Sequence, residues 1–209
     1  MTTDRYSTFA DLAASERLGI DYQIHVRARS ARVAIIAPHG GCIEPGTLEI
    51  AATIAGDTLS FYAFEALRPS GKRGSLHITS SRFDEPGVLA LVGGAQKVVA
   101  VHGRANGSDP YTVWVGGLDA ALRDRIAARL TTAGFVASVV ASGSLAGRDP
   151  ANICNRGATG AGVQLELPRT LRNQLTTEPT MLRSFCDAIN GAAAGSDDGL
   201  GTANGLRIS

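Results

Sequence analysis

"VAIIAPHGGCIEPGTLEIAATIAG", residues 33–56, is the stretch on which the fold turns. Val33 to Ala37 are apolar without a break, as suits a short strand covered on both faces. Gly46 to Gly56 read as a helix, with Thr47 as its cap and Gly56 as its stop. Between them stand Pro38, His39, Gly40, Gly41, Glu44 and Pro45. A buried strand needs none of these at its end. Gly40 and Gly41 permit a tight backbone that folds Glu44 back towards His39. Strand, short loop and helix in that order are the unit of an α/β layer fold.

The same alternation recurs along the chain. "LSFYAF" (59–64), "SLHITS" (75–80), "KVVAVHG" (97–103), "YTVWVGG" (111–117), "FVASVV" (135–140) and "GVQLELP" (162–168) read as strands. "LDAALRDRIAARLTTAG" (118–134) is helical, with Leu118, Leu122, Ile126 and Leu130 on one stripe and Gly134 as its end. "TEPTMLRSFCDAIN" (177–190) is another helix, with Pro179 in its first turn. The expectation is one α/β domain over residues 1–190, with a mixed, mainly parallel sheet flanked by helices. Residues 191–209 are mostly glycine, alanine and small polar residues, and read as a weakly ordered tail in which "LRIS" could add an edge strand.

The chain of 209 residues can bury one substantial core but not two. Its 20 basic and 19 acidic residues leave a net charge of +1, so no bulk field draws it to nucleic acid or an anionic membrane. Any anion must be held by a few placed arginines. The polar start lacks the basic end and apolar centre of a signal peptide, and no apolar run is long enough to span a bilayer. Cys42, Cys154 and Cys186 are odd in number and have no CxxC spacing, which argues for a reducing compartment. A cytoplasmic monomer is the expectation.

In open α/β sheets ligands bind beyond the carboxyl ends of the strands. "AIIAP" leads to His39, with Glu44 five residues on; "KVVAV" leads to His102; "VQLE" ends in Glu166. Parallel strands would bring these side chains to one rim. Two histidines and a carboxylate are a common catalytic zinc set, with the fourth position left for water, whose pKa the metal lowers to about 7. His39, Glu44 and His102 would then be ligands, and Glu166 would take and return the proton. The competing reading of each histidine is a hydrogen-bonded strand-end residue, and spacing alone does not separate the two. His77, inside "SLHITS", is either a substrate contact or proton partner near the metal, or a packed histidine. No G-x-S-x-G occurs, so there is no nucleophile elbow; "GKRG" does not make a P-loop.

The segments "APHGGCIEPGTLEIA", "SLHITSSRFDEP", "VVAVHG", "NICNRG" and "GVQLELP" together resemble the poly-gamma-glutamate hydrolase family, small phage-type zinc peptidases related in fold to zinc carboxypeptidases. The resemblance runs from about residue 33 to 190. It implies a carboxypeptidase-like mixed sheet, Zn2+ on His39, Glu44 and His102, and Glu166 as the catalytic carboxylate. It also implies hydrolysis of amide bonds through the gamma-carboxyl of glutamate. Such a substrate carries a free carboxylate on every residue, which an arginine fork suits. Arg156 in "NICNRG" is the first candidate, with Asn155 as a neutral donor beside it and Arg82 and Arg104 as further cations. The alternatives are a zinc amidase or carboxypeptidase on other peptides or acyl-amino acids, and a non-catalytic zinc- or anion-binding module.

Overall fold

The computed structural model describes residues 4–68 and 76–195. In chain order the elements are α1 (Phe9–Ser15), β1 (Tyr22–Arg27), β2 (Val33–Gly41), α2 (Thr47–Ala55), β3 (Ser60–Ala66), α3 (Pro86–Gly93), β4 (Lys97–Arg104), β5 (Val113–Gly117), α4 (Ala120–Thr132), β6 (Ala137–Val139), β7 (Val163–Pro168), α5 (Arg169–Thr177) and α6 (Pro179–Ala194). The seven strands form one sheet in the order β1-β3-β2-β4-β7-β5-β6. β3, β2, β4 and β7 run parallel. β1 joins β3 antiparallel at one edge, and β5 joins β7 antiparallel near the other, with β6 parallel to β5. This is the single-domain mixed α/β fold expected from the sequence.

The sheet carries a core on each face. Ile35, Ala37, Val99, Val101 and Leu165 pack against α2, α4, α5 and α6. Ala34, Ile36, Tyr62, Phe64, Val98 and Ala100 pack on the opposite face, with α1, α3 and the segment carrying Leu76, Ile78 and Phe83. Both faces being covered explains why β2 and β4 read as unbroken apolar runs. On α4, Leu122, Ile126 and Leu130 are fully buried, each contributing about 1.5–3 kcal/mol of hydrophobic transfer. Leu118 precedes the helix, because the Asp119 side chain accepts from the Leu122 N–H and sets the start there.

Several expectations are corrected. "SLHITS" is not a strand: His77 to Thr79 are irregular, and Leu76 and Ile78 alternate inward without pairing. β1, α1, α3 and α5 had no clear signal in the sequence. Thr47 is the first helical residue rather than the cap; its hydroxyl donates back to the Glu44 carbonyl at 2.8 Å. α6 continues through residue 194 with Ala192 and Ala193 buried, so the tail does not begin at 191. The rest of that tail, including "LRIS", lies outside the described residues, as does "GKRG". Among the described residues no helix is long and apolar enough to cross a membrane.

β2 runs on past the proline to Gly41, pairing with β3 through a register shift between Ala37 and Gly40. The glycines are there for closeness to β3. A Cβ on Gly41 would lie 2.4 Å from the Ala66 carbonyl oxygen, and its φ is +62°. Gly134 also has a positive φ, +89°, but open space around it. Gly134→Ala should therefore cost only the left-handed backbone term, about 1–2 kcal/mol. Gly41→Ala adds a backbone clash, and its urea midpoint should fall clearly further. Equal midpoints would show that β3 yields at no cost.

Candidate metal centre

The β2–β4 ladder ends at Ile36 and Ala100. The β4–β7 ladder continues through His102 opposite Glu166 to Arg104 opposite Pro168. A gap therefore opens between β2 and β4 at their carboxyl ends. The strand order also reverses here, since β3 lies on one side of β2 and β4 on the other. Such a switch point is where open α/β sheets bind ligands. A cleft of about 840 Å³ occupies it, and His39, Glu44, His77, His102 and Glu166 line it.

Strict alternation along β2 would send His39 to the face of Ile35 and Ala37. The register shift reverses that. The His39 ring lies edge-on to Phe83 at 6.2 Å, on the face of Ile36. His39 Nε2 donates to the Ile78 carbonyl at 2.8 Å. A carbonyl only accepts, so Nε2 carries a proton and Nδ1 is directed to the cleft. That Nδ1 lies 3.2 Å from Glu44 Oε1 and 3.2 Å from His102 Nδ1. His102 Nδ1 is 3.6 Å from Glu44 Oε2. Ligand atoms around a tetrahedral zinc, at the usual Zn–N and Zn–O lengths, stand about 3.3 Å apart. The three side chains fit that spacing, and both histidines are almost fully buried.

Glu44 is delivered by a turn in which its N–H donates to the His39 carbonyl at 2.9 Å. Its Oε2 accepts the Gly103 N–H at 2.8 Å. Burial alone would raise its pKa, but the His39 and His102 imidazoles outweigh burial and hold the carboxyl well below the ordinary range. Glu166 is pushed the other way. Burial first, and then the Glu44 charge, carry its carboxyl up to about 8. Gln164 Nε2 donates to Glu166 Oε1 at 2.8 Å, and Asn152 holds Gln164 in turn at 2.8 Å. Two carboxyls with protonation tendencies driven apart suit one fixed charge and one proton carrier.

The family model described as poly-gamma-glutamate hydrolase matches residues 6–185. The chain belongs to the poly-gamma-glutamate hydrolase family. A solved structure of a bacteriophage poly-gamma-glutamate hydrolase is similar at a TM-score of 0.85 and 32% identity, covering 92% of this chain and 97% of that one. A zinc-free apo structure of YndL is similar at a TM-score of 0.84 and 31% identity, over 91% and 98% of the two chains. Among curated Bacillus subtilis (strain 168) proteins, the prophage-derived UPF0714 protein YoqZ is 39% identical over 176 residues. The UPF0714 protein YmaC is 40% identical over 200 residues, 90% of this chain and 83% of YmaC. The chain spans 84% of itself but only 62% of YoqZ in that match.

Of the proposed site residues in this member of the poly-gamma-glutamate hydrolase family, His39, Glu44, His102 and Glu166 meet in the cleft. His77 joins them on an irregular segment, its ring centroid 4.2 Å from that of His39. His39, Glu44 and His77 also offer donor atoms within 4.8 Å of one another, so either His77 or His102 is near enough to be the third ligand. Asp4, absent from the sequence reading, governs His77. Its Oδ1 accepts from His77 Nδ1 at 2.6 Å, and its Oδ2 accepts from the Thr79 N–H, the Thr79 hydroxyl and Arg82. Burial, and then His39, push His77 down to about 4 despite Asp4, so it is neutral at pH 7.

Of the expected carboxylate-binding residues, Arg104 lines the cleft, whereas Arg156, Asn155 and Arg82 do not. Arg156 is exposed and does not line the cleft. Asn155 is buried as a brace: its amide donates to the Gly147 and Asp149 carbonyls, and its oxygen accepts from the Leu118 and Gly162 N–H groups. Arg82 is engaged by Asp4 and also lies off the cleft. The arginines that do line it are Arg104 and Arg148. Arg104 is buried, stacked over Trp114 at 4.0 Å and paired with Asp109 at 3.0 Å. Arg148 is exposed, on the rim loop "SGSLAGRDP". A glycine-flanked arginine in a polar loop was its only sequence signal.

Proposed function

We propose that the chain is a zinc-dependent hydrolase that cleaves gamma-glutamyl amide bonds of poly-gamma-glutamate. The observation that carries this reading is the convergence of His39 Nδ1, His102 Nδ1 and the Glu44 carboxylate at zinc-like separations beside a buried second carboxylate. The chain's membership of the poly-gamma-glutamate hydrolase family and its likeness to the bacteriophage enzyme support this choice of substrate. When bound, zinc would polarise the amide carbonyl and activate water. Glu44, His39 and His102 would hold it; we prefer His102 to His77 because His102 Nδ1 stands 3.2 Å from His39 Nδ1 and 3.6 Å from Glu44 Oε2, close to the spacing of ligands on one zinc. Glu166 would take the water's proton and deliver it to the departing amine, with Gln164 fixing its carboxyl. The Arg104 guanidinium is near enough to Glu166 to favour its ionised form, in opposition to burial and the Glu44 charge.

The direct test is hydrolysis of poly-gamma-glutamate against an alpha-linked polyglutamate, with and without a zinc chelator. Cleavage of the gamma polymer alone, lost on chelation and restored by zinc, is expected. Cleavage of the alpha polymer alone would move the assignment to an ordinary peptidase. Arg148 is the cation placed to meet a substrate carboxylate at the rim. Arg148→Ala should raise KM for the gamma polymer on the order of tenfold, the loss of one charge-assisted hydrogen bond, with kcat little changed. An unchanged KM would remove Arg148 from binding.

A further inference from the structure

Arg172 is an arginine buried to 4% exposure on α5, outside the catalytic cleft. Its three guanidinium nitrogens go to three different segments. Nε donates to the Leu167 carbonyl at the end of β7, at 3.1 Å. Nη2 donates to the Arg104 carbonyl at the end of β4, at 3.3 Å. Nη1 donates to the Pro45 carbonyl, next to Glu44, at 2.5 Å. These segments carry Glu166, His102 and Glu44. No other link among the hydrogen bonds of the described residues joins all three. Gly103 is part of the same arrangement. A Cβ there would lie 2.4 Å from Arg172 Cζ, so a glycine is what lets the guanidinium lie across β4. The N–H of that glycine is the donor to Glu44 Oε2.

We propose that Arg172 is a positioning residue that sets the distance of Glu44 from His102, and through it the affinity of the site for its metal. This rests on the reading of His39, Glu44 and His102 as ligands. Arg172 does not line the cleft, so it acts on the ligands and not on substrate. A charged side chain buried among carbonyls is costly unless geometry repays it. Here the repayment is a fixed register between the β2 turn and the paired ends of β4 and β7, across the gap that opens between β2 and β4 beyond Ile36 and Ala100. Outer partners that orient ligands commonly carry a 10–100-fold share of metal affinity.

The test measures zinc dissociation by competition with a chelating dye, on full-length protein, with the cobalt(II) absorption spectrum as a second readout. Arg172→Met and Gly103→Ala attack the same contact from opposite sides. The second displaces the flexible guanidinium end while keeping the arginine. Each is expected to weaken zinc by about 10–100-fold and to alter the cobalt spectrum, with Arg172→Lys intermediate. Near-UV circular dichroism of the metal-free proteins separates this from failure to fold; should Arg172→Met not fold, Gly103→Ala and Arg172→Lys decide. Folded variants that bind zinc as tightly as wild type, with an unchanged cobalt spectrum, would overturn the proposal. If Glu44→Gln also leaves zinc affinity untouched, the ligand assignment itself has failed, and the two failures are thereby distinguished.

Discussion

Glu166→Gln is expected to lower kcat for poly-gamma-glutamate by about 10²–10⁴-fold, the usual share of a positioned acid–base group, with zinc content unchanged. Glutamine keeps the shape and still offers an oxygen to Gln164 Nε2, which donates to Glu166 at 2.8 Å. What it lacks is the ability to accept a proton. The measurements are steady-state turnover and zinc per mole of protein. Undiminished turnover would remove Glu166 from the base role. The raised pKa gives a second check that does not use substrate. In the metal-free protein Glu166 holds its proton up to about 8 rather than the ordinary 4.5. A group that binds its proton more tightly folded than unfolded is stabilising at low pH, and that contribution is lost as pH rises through this window. Metal-free Glu166→Gln should therefore match wild type near pH 4 and exceed it in stability near pH 8. Zinc, by opposing that proton, should release it, so calorimetric proton release at pH 7 should shrink in the variant.

The parts of this site legible in the sequence are those that depend on strand ends. β2, β4 and β7 announce themselves as valine-, isoleucine- and leucine-bearing runs, and a parallel arrangement puts their last side chains together. His102 and Glu166 follow from that, and Glu44 from the short glycine-bearing turn, whereas His39 reaches the cleft face only through the register shift after Ala37. The reason for the glycines was less accessible. Gly41 answers to the Ala66 carbonyl of β3, a neighbour 25 residues away. "SLHITS" misled because Leu76 and Ile78 are buried in a strand-like alternation while the backbone pairs with nothing in the sheet. Asn155 and Arg156 misled for another reason. Adjacency in a motif does not say which side of the 3-10 turn Ile153–Asn155 faces the cleft, and here Asn155 spends its whole amide on bracing backbone. Asp4, Arg148 and Arg172 act through contacts that no local pattern encodes; Asp4 and His77 are 73 residues apart.

His39→Ala and Glu44→Gln should each abolish stoichiometric zinc binding, a weakening beyond the roughly 100-fold expected of an outer partner, and turnover with it. Each removes one of three donors whose separations are 3.2, 3.2 and 3.6 Å. Two remaining donors cannot define a tetrahedral site with one open position. His39 should be the more sensitive, because its Nε2 is anchored to the Ile78 carbonyl and its Nδ1 touches both other donors. Thermal unfolding reads the same loss without substrate. A ligand that binds only the folded state adds about 2.7 kcal/mol at a hundred times its Kd, so zinc should raise the wild-type Tm and leave these variants unmoved. The remaining ligand is decided by a pair. His102→Ala should lose zinc, whereas His77→Ala should keep it and change turnover or KM, since it is His102 Nδ1 that stands 3.2 Å from His39 Nδ1 and 3.6 Å from Glu44 Oε2. The reverse pattern, zinc lost with His77 and kept without His102, would make His39, Glu44 and His77 the metal set, with His102 as the cleft-wall histidine.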